Sequence, residues 1–172
     1  FVTGATGFIG SHLISRLLDR KGTIYVLVRR ESKKKFAAHR KTWGRRADRV
    51  VPVTGDLARK NLGLSSKNVA MLRDAKIRHF FHLAAIYDLK ADADSQRIAN
   101  VEGTRNAVAF ANLIDAGVFH HTSSIAAAGL YDGIFREDMF AEARGLEHPY
   151  FRTKHDSEAL VRRRCTLPSA RP

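Results

Sequence analysis

Tyr150 and Lys154 stand four residues apart in Pro149-Tyr150-Phe151-Arg152-Thr153-Lys154, a spacing that puts them on one helix face with Cβ atoms about 5–6 Å apart. Pro149 suits the first position of that helix. A phenol with a solution pKa of about 10 is a poor acid or base at neutral pH, and an ammonium beside it favours the phenolate. The ammonium can also hydrogen-bond a cofactor ribose. Taken alone, the pair equally describes an ordinary surface helix. Ser123 and Ser124, which close an apolar run, add hydroxyls that can donate to a carbonyl oxygen held beside the tyrosine, so that donors converge on developing oxyanion charge. Either serine could instead cap the segment that follows. Asn100, inside a helical pattern, reads as a link in a proton relay or as a local hydrogen-bonding residue.

A second constellation opens the chain, where Thr3-Gly4-Ala5-Thr6-Gly7-Phe8-Ile9-Gly10 leads from an apolar start into helical periodicity over residues 11–18. Gly4 permits a tight turn, Gly7 lets backbone approach phosphates, and Gly10 lets the helix pack close to its strand, while free helix N–H groups face an anion. With Thr6, Phe8 and Ile9 these glycines make a pyrophosphate cradle, the alternative being a glycine-rich turn without a ligand. Arg29 and Arg30 follow the second strand-like run, where an NAD-specific domain carries an acid for the ribose 2′-hydroxyl. The reversed charge points to NADP(H), or to exposed surface cations. Ser32 is expected to cap a helix whose first turn carries Lys33, Lys34 and Lys35, against the helix dipole. Asp56-Leu57 could meet the adenine edge or simply make a turn, and the small residues of Leu83-Ala84-Ala85 would let backbone pass close to a cofactor.

These residues need a frame that brings them to one edge. Apolar runs over residues 1–3, 23–28, 50–54, 79–83 and 118–122, separated by helical patterns, predict an α/β fold with a doubly wound parallel sheet of the Rossmann NAD(P)-binding type, ligands lying beyond the strands' C-terminal ends. Residues 91–116 read as one long helix leading to the fifth strand. With 172 residues, 44% of them hydrophobic, a single dinucleotide-binding domain over 1–172 is expected. It is read as incomplete at both ends, with residues 165–172 approaching another strand and a substrate-binding region after 172.

The net charge is +13, and twelve of the thirty Lys and Arg residues fall between Arg29 and Lys60 against Glu31, Asp48 and Asp56. A solvated basic face, a site for phosphorylated small molecules and a nucleic-acid surface compete. With no zinc-finger spacing, aromatic RNA-binding signature or second basic stripe, no nucleic-acid partner is expected. Cys165 is the only cysteine, which suits a reducing compartment and a cytoplasmic location. No apolar run approaches the ~18 residues of a transmembrane span. The eight histidines show no metal-ligand spacing, and none is assigned to a metal.

The glycine-rich run, Asp56-Leu57, Leu83-Ala84-Ala85, Asn100, Ser124 and Tyr150-x-x-x-Lys154 together resemble the extended short-chain dehydrogenase/reductases. More narrowly, Phe81-His82-Leu83-Ala84-Ala85-Ile86-Tyr87-Asp88, Ser123-Ser124-Ile125-Ala126-Ala127-Ala128-Gly129, Phe135-Arg136-Glu137-Asp138-Met139-Phe140 and His148-Pro149-Tyr150-Phe151-Arg152-Thr153-Lys154-His155 look like the bacterial fatty acyl-CoA reductase, or thioester reductase-like, branch. The resemblance implies NADPH-dependent reduction of a fatty acyl thioester, ending at the aldehyde or continuing to the alcohol. Ser124 and Tyr150 would hold the carbonyl oxygen, Lys154 would anchor the ribose and tune Tyr150, and Asn100 would order a relay water. The partner it implies is an acyl-CoA or similar thioester, and it is compatible with a homo-oligomer. That family continues past an Arg-Pro-Gly segment into a substrate-binding region, so residues 1–172 alone should turn over little. A sugar-nucleotide epimerase, a hydroxysteroid-type dehydrogenase and a non-catalytic dinucleotide sensor are the alternatives on the same fold.

Overall fold

Five parallel strands, β1 (Val2–Thr3), β2 (Ile24–Val28), β3 (Val50–Thr54), β4 (His79–His82) and β5 (Val118–His121), form one sheet in the order β3-β2-β1-β4-β5. The computed structural model describes residues 1–165; of the strand approach expected over 165–172, Cys165 instead ends a helix and the rest lies outside the described residues. Strand order reverses between β1 and β4, and in open α/β sheets ligands bind at such a switch point, beyond the strands' C-terminal ends. The doubly wound parallel sheet is as expected from the apolar runs.

Side chains alternate across each strand, so each face carries its own core. Val2, Val26 and Val28 pack with Ile14 and Leu18 from the α1 region (α1, Phe8–Leu17) and with Phe36 of α2 (Lys33–Thr42) and Trp43. Phe1, Leu27 and Phe80 pack with Leu72 of α3 (Ser66–Asp74) and with Ala107, Phe110 and Ala111 of α5 (Gly103–Leu113). The Phe1 ring lies 4.8 Å from Phe80 and 5.9 Å from Phe110, centroid to centroid. A strand buried on both faces must be apolar at successive positions, and β2 reads Ile-Tyr-Val-Leu-Val for that reason.

Two local features depart from the expected pattern. In place of one uniform helix over residues 91–116, the chain enters at Asp92, whose carboxylate accepts from the Ser95 N–H at 2.8 Å, runs through α4 (Ala93–Gln96) and then unwinds into a π-helical turn over Arg97–Glu102 before α5. The second lies after β3, where Asn61, Leu62 and Gly63 take φ of 51°, 56° and 62° in succession. Leu62 is fully buried, and its carbonyl accepts from the Asp56 N–H at 2.7 Å.

Among the described residues the chain divides into two compact units, one made of Phe1–Ala85 with Asn106–Thr122 and the other of Ile86–Arg105 with the residues from Ser123 to Cys165. None of the described helices is long and apolar enough to cross a membrane.

Candidate active site

In the first unit, the turn after β1 is built by close backbone packing. Gly4 has φ +72°, and a Cβ there would meet the Ala84 nitrogen at 2.7 Å and the Leu83 carbonyl carbon at 2.9 Å. The small residues after β4 thus face Gly4 itself. A Cβ on Gly10 would lie 2.1 Å from the Gly4 carbonyl oxygen, so only glycine lets α1 sit this close to the turn. Gly7 differs, because its nearest such neighbour is the Gly4 oxygen at 3.3 Å. It stands at the head of α1 with no capping side chain, and the first turn carries no acidic residue. The helix therefore presents uncapped N–H groups and the positive end of its dipole, the chemistry a pyrophosphate needs. Thr6 is half-buried, while Phe8 and Ile9 are exposed at the start of α1.

Arg29 and Arg30 are exposed after β2, and the Arg29 Nε lies 3.2 Å from Glu31 Oε1. The expected Ser32 cap is not made. A 3₁₀ turn over Arg30–Ser32 leads into α2 and leaves Ser32 at φ −88°, ψ 0°, whereas a capping serine needs extended backbone to reach the next N–H groups. Asp56 Oδ1 accepts from the Ala58 N–H at 2.9 Å, the turn alternative raised for it. The Leu57 carbonyl accepts from Asn106 Nδ2 at 2.7 Å.

The second unit holds the remaining candidates. β5 ends at His121, two residues before Ser123. Ser124 has extended backbone, and its Oγ accepts from the Ala126 N–H at 3.2 Å, heading a 3₁₀ turn over Ile125–Ala128. Capping uses an oxygen lone pair and leaves the hydroxyl proton to donate. Helix α6 (Pro149–Cys165) starts at Pro149 as expected, with the Tyr150 N–H donating to His148 Nδ1 at 3.1 Å. The Tyr150 hydroxyl then stands 3.5 Å from Ser124 Oγ. That exceeds a good O–H···O distance of about 2.7–2.8 Å and leaves both hydroxyls able to donate to a third oxygen. Lys154 is buried, at 4% exposure. Burial lowers its pKa from the ordinary 10.5, and the Glu158 charge opposes the shift.

Asn100, in the π-helical turn, is 1% exposed. Its Oδ1 accepts from the Ile86 N–H at 2.8 Å, and its Nδ2 donates to the Ile86 carbonyl at 3.0 Å and to Thr153 Oγ1 at 3.1 Å. These side-chain partners lie 14 and 53 residues away, so the amide ties the π-helical turn to distant chain rather than bonding locally. Glu158, not singled out from the sequence, accepts from Ser123 Oγ through Oε2 and from Arg162 Nε at 2.7 Å through Oε1. The signal for it was an i, i+4 ladder on α6, Lys154 to Glu158 to Arg162. Among the described residues, no three His, Cys, Asp or Glu side chains are grouped to hold a metal ion.

A family model described as male sterility protein, an NAD-binding family, matches residues 2–170. The chain belongs to this family. It is an extended short-chain dehydrogenase/reductase family, and this membership agrees with the coarser of the two resemblances read from the motifs. A linear gramicidin synthase of Brevibacillus parabrevis is 32% identical over 174 residues, covering 93% of this chain and 3% of that protein. A putative fatty acyl-CoA reductase of Drosophila melanogaster is 30% identical over 125 residues, 63% of this chain and 24% of that protein. Among solved structures, the terminal R domain from the myxalamid PKS-NRPS biosynthetic pathway superposes with a TM-score of 0.81 at 32% identity, covering 94% of this chain and 44% of that one. The chain thus spans less than half of the relatives it matches here.

Proposed function

We propose that the protein reduces an acyl thioester with NADPH, using Ser124, Tyr150 and Lys154. The observation that carries this is the pair of hydroxyl oxygens 3.5 Å apart, Tyr150 four residues before a buried lysine, in a chain of this family. The turn from Gly4 to Gly10, with Thr6, Phe8 and Ile9, would hold the pyrophosphate. Asp56 and Leu57 would face the adenine, Leu83, Ala84 and Ala85 would border the cofactor, and Tyr150 and Lys154 would hold a ribose. Arg29 and Arg30 favour a 2′-phosphate and so NADP(H) over NAD(H). A bound dihydronicotinamide would supply the hydride.

The residues do the rest. Ser124 and Tyr150 donate hydrogen bonds to the thioester carbonyl oxygen, and these strengthen as hydride addition turns it into a tetrahedral oxyanion. Expulsion of the thiolate, which takes up a proton, leaves an aldehyde. Where a second reduced cofactor replaces the oxidised one and supplies another hydride, the aldehyde would present the same oxygen for reduction to alcohol, with Tyr150 as proton donor and the Lys154 ammonium supporting the phenolate left behind. Asn100 clamps Thr153 to Ile86. Its amide has three partners already, so the second lone pair of Oδ1 is what remains for a relay water.

The relatives include a gramicidin synthase and a putative fatty acyl-CoA reductase, and a thioester is the substrate chemistry we take from them. The test is NADPH oxidation by the intact protein with a long-chain acyl-CoA, the matching aldehyde, a sugar nucleotide and a hydroxysteroid or its ketone. Thioester-dependent oxidation with an aldehyde or alcohol product is expected. Turnover of the sugar nucleotide or steroid alone overturns the proposal.

A further inference from the structure

Glu158 holds the segment that carries Ser124 without itself belonging to the Ser-Tyr-Lys set. Its side chain is 16% exposed and both carboxylate oxygens are engaged, Oε2 by the Ser123 hydroxyl and Oε1 by Arg162 Nε at 2.7 Å. The guanidinium is fixed in turn. It lies 5.0 Å from the centroid of the Phe140 ring and donates to the Glu137 carbonyl at 3.3 Å. Phe140 stacks on His155 at 4.2 Å, and His155 Nδ1 lies 3.0 Å from the Ala127 carbonyl oxygen, inside the 3₁₀ turn that Ser124 heads. Two anchors from α6 therefore bracket Ser124, one through the neighbouring Ser123 and one through Ala127.

One peptide unit separates Ser123 from Ser124. Pinning the Ser123 hydroxyl to a carboxylate fixes the backbone from which the Ser124 side chain projects. That projection sets the 3.5 Å separation from Tyr150. We propose that Glu158 is a positioning residue, which through Ser123 keeps the Ser124 hydroxyl at the distance from Tyr150 where both can donate to one substrate oxygen. The inference rests on the proposed function of that hydroxyl pair. Its energetic sense follows from preorganisation: a donor already aimed at the developing oxyanion costs no reorganisation in the reaction, and a displacement of about 1 Å can cost about a hundredfold in rate.

The test uses Glu158→Gln, Ser123→Ala, the double variant and Tyr150→Phe in the intact protein, reading kcat, the thioester KM, the NADPH dissociation constant and circular dichroism. Glu158→Gln and Ser123→Ala should each lower kcat about tenfold while KM and NADPH affinity stay within about twofold. The double variant should be no slower than the slower single one, since both remove the same link. Wild-type kcat in either single variant overturns the proposal, as do losses that multiply in the double variant. Loss of NADPH binding or of the native spectrum in Glu158→Gln makes Glu158 a residue of general stability, which also overturns it. Tyr150→Phe separates the two readings. If it collapses kcat while the Ser123 and Glu158 variants do not, only this inference fails, whereas an unchanged rate in Tyr150→Phe removes the site and this inference together.

Discussion

The Tyr150 phenolic oxygen and the Ser124 hydroxyl stand 3.5 Å apart across 26 residues of chain, each delivered by the start of a different helical turn. Two donors at that separation suit a single acceptor between them. Tyr150→Phe in the intact protein should keep NADPH affinity and slow thioester reduction by at least about a hundredfold. Ser124→Ala should cost about 100- to 1,000-fold in kcat. Single-turnover assays beside cofactor titrations measure both.

Gly7 and Gly10 separate binding from folding. A methyl group at Gly10 would meet the Gly4 carbonyl at 2.1 Å, backbone against backbone. Gly10→Ala should destabilise the protein by about 3 kcal/mol in denaturant unfolding. Gly7 has φ −78° and a nearest neighbour at 3.3 Å, so Gly7→Ala should cost less than about 1 kcal/mol. Its methyl would crowd the uncapped end of α1, and dinucleotide affinity should fall about tenfold. Unchanged affinity would show that the pyrophosphate lies elsewhere.

Arg29 is shared between Glu31 and solvent. Replacing Arg29 and Arg30 together by alanine should weaken NADPH at least about tenfold and leave NADH nearly unchanged, since the 2′-phosphate is the charge that NADPH carries and NADH lacks. Glu31→Gln frees the guanidinium and should tighten NADPH by about twofold. Calorimetric titration of the wild type with both cofactors tests the premise, and stronger NADH binding removes the NADP(H) assignment.

Lys154 links stability to pH. Burial holds its pKa below 10.5, Glu158 opposing, so the unfolded chain binds that proton more tightly than the folded one. The charged lysine costs the folded state stability below its folded pKa, and the cost fades as pH rises from there toward 10.5. Lys154→Met should therefore change stability most favourably at neutral pH, with any gain over wild type shrinking at alkaline pH while kcat collapses. A variant less stable than wild type at neutral pH would mean that the ammonium's contacts outweigh its desolvation.

The sheet was legible because a strand buried on both faces must be written in consecutive apolar residues, and the Tyr150–Lys154 pair because residues four apart share a helix face. The π-helical turn at Arg97–Glu102 was not, since no composition marks a shift from i+4 to i+5 bonding. Ser32 had the right type and place for a cap, but a 3₁₀ turn changed its backbone. Asn106 with Leu57 and Glu158 with Ser123 span 49 and 35 residues, and contacts of that reach leave no local pattern. The glycines were legible as a set, though the structure shows Gly4 making room for Leu83 and Ala84 within the protein itself.

The reversed coil at Asn61, Leu62 and Gly63 makes the rim after β3 an extension of the interior. Residues other than glycine resist this handedness by about 1–2 kcal/mol each, so the segment keeps it only while Leu62 stays seated among Leu72, Phe80 and Phe110. The Asp56 amide is latched to the same leucine. A substitution deep in that cluster would consequently be felt at half-buried Asp56, and the contour of this rim is decided when the core closes.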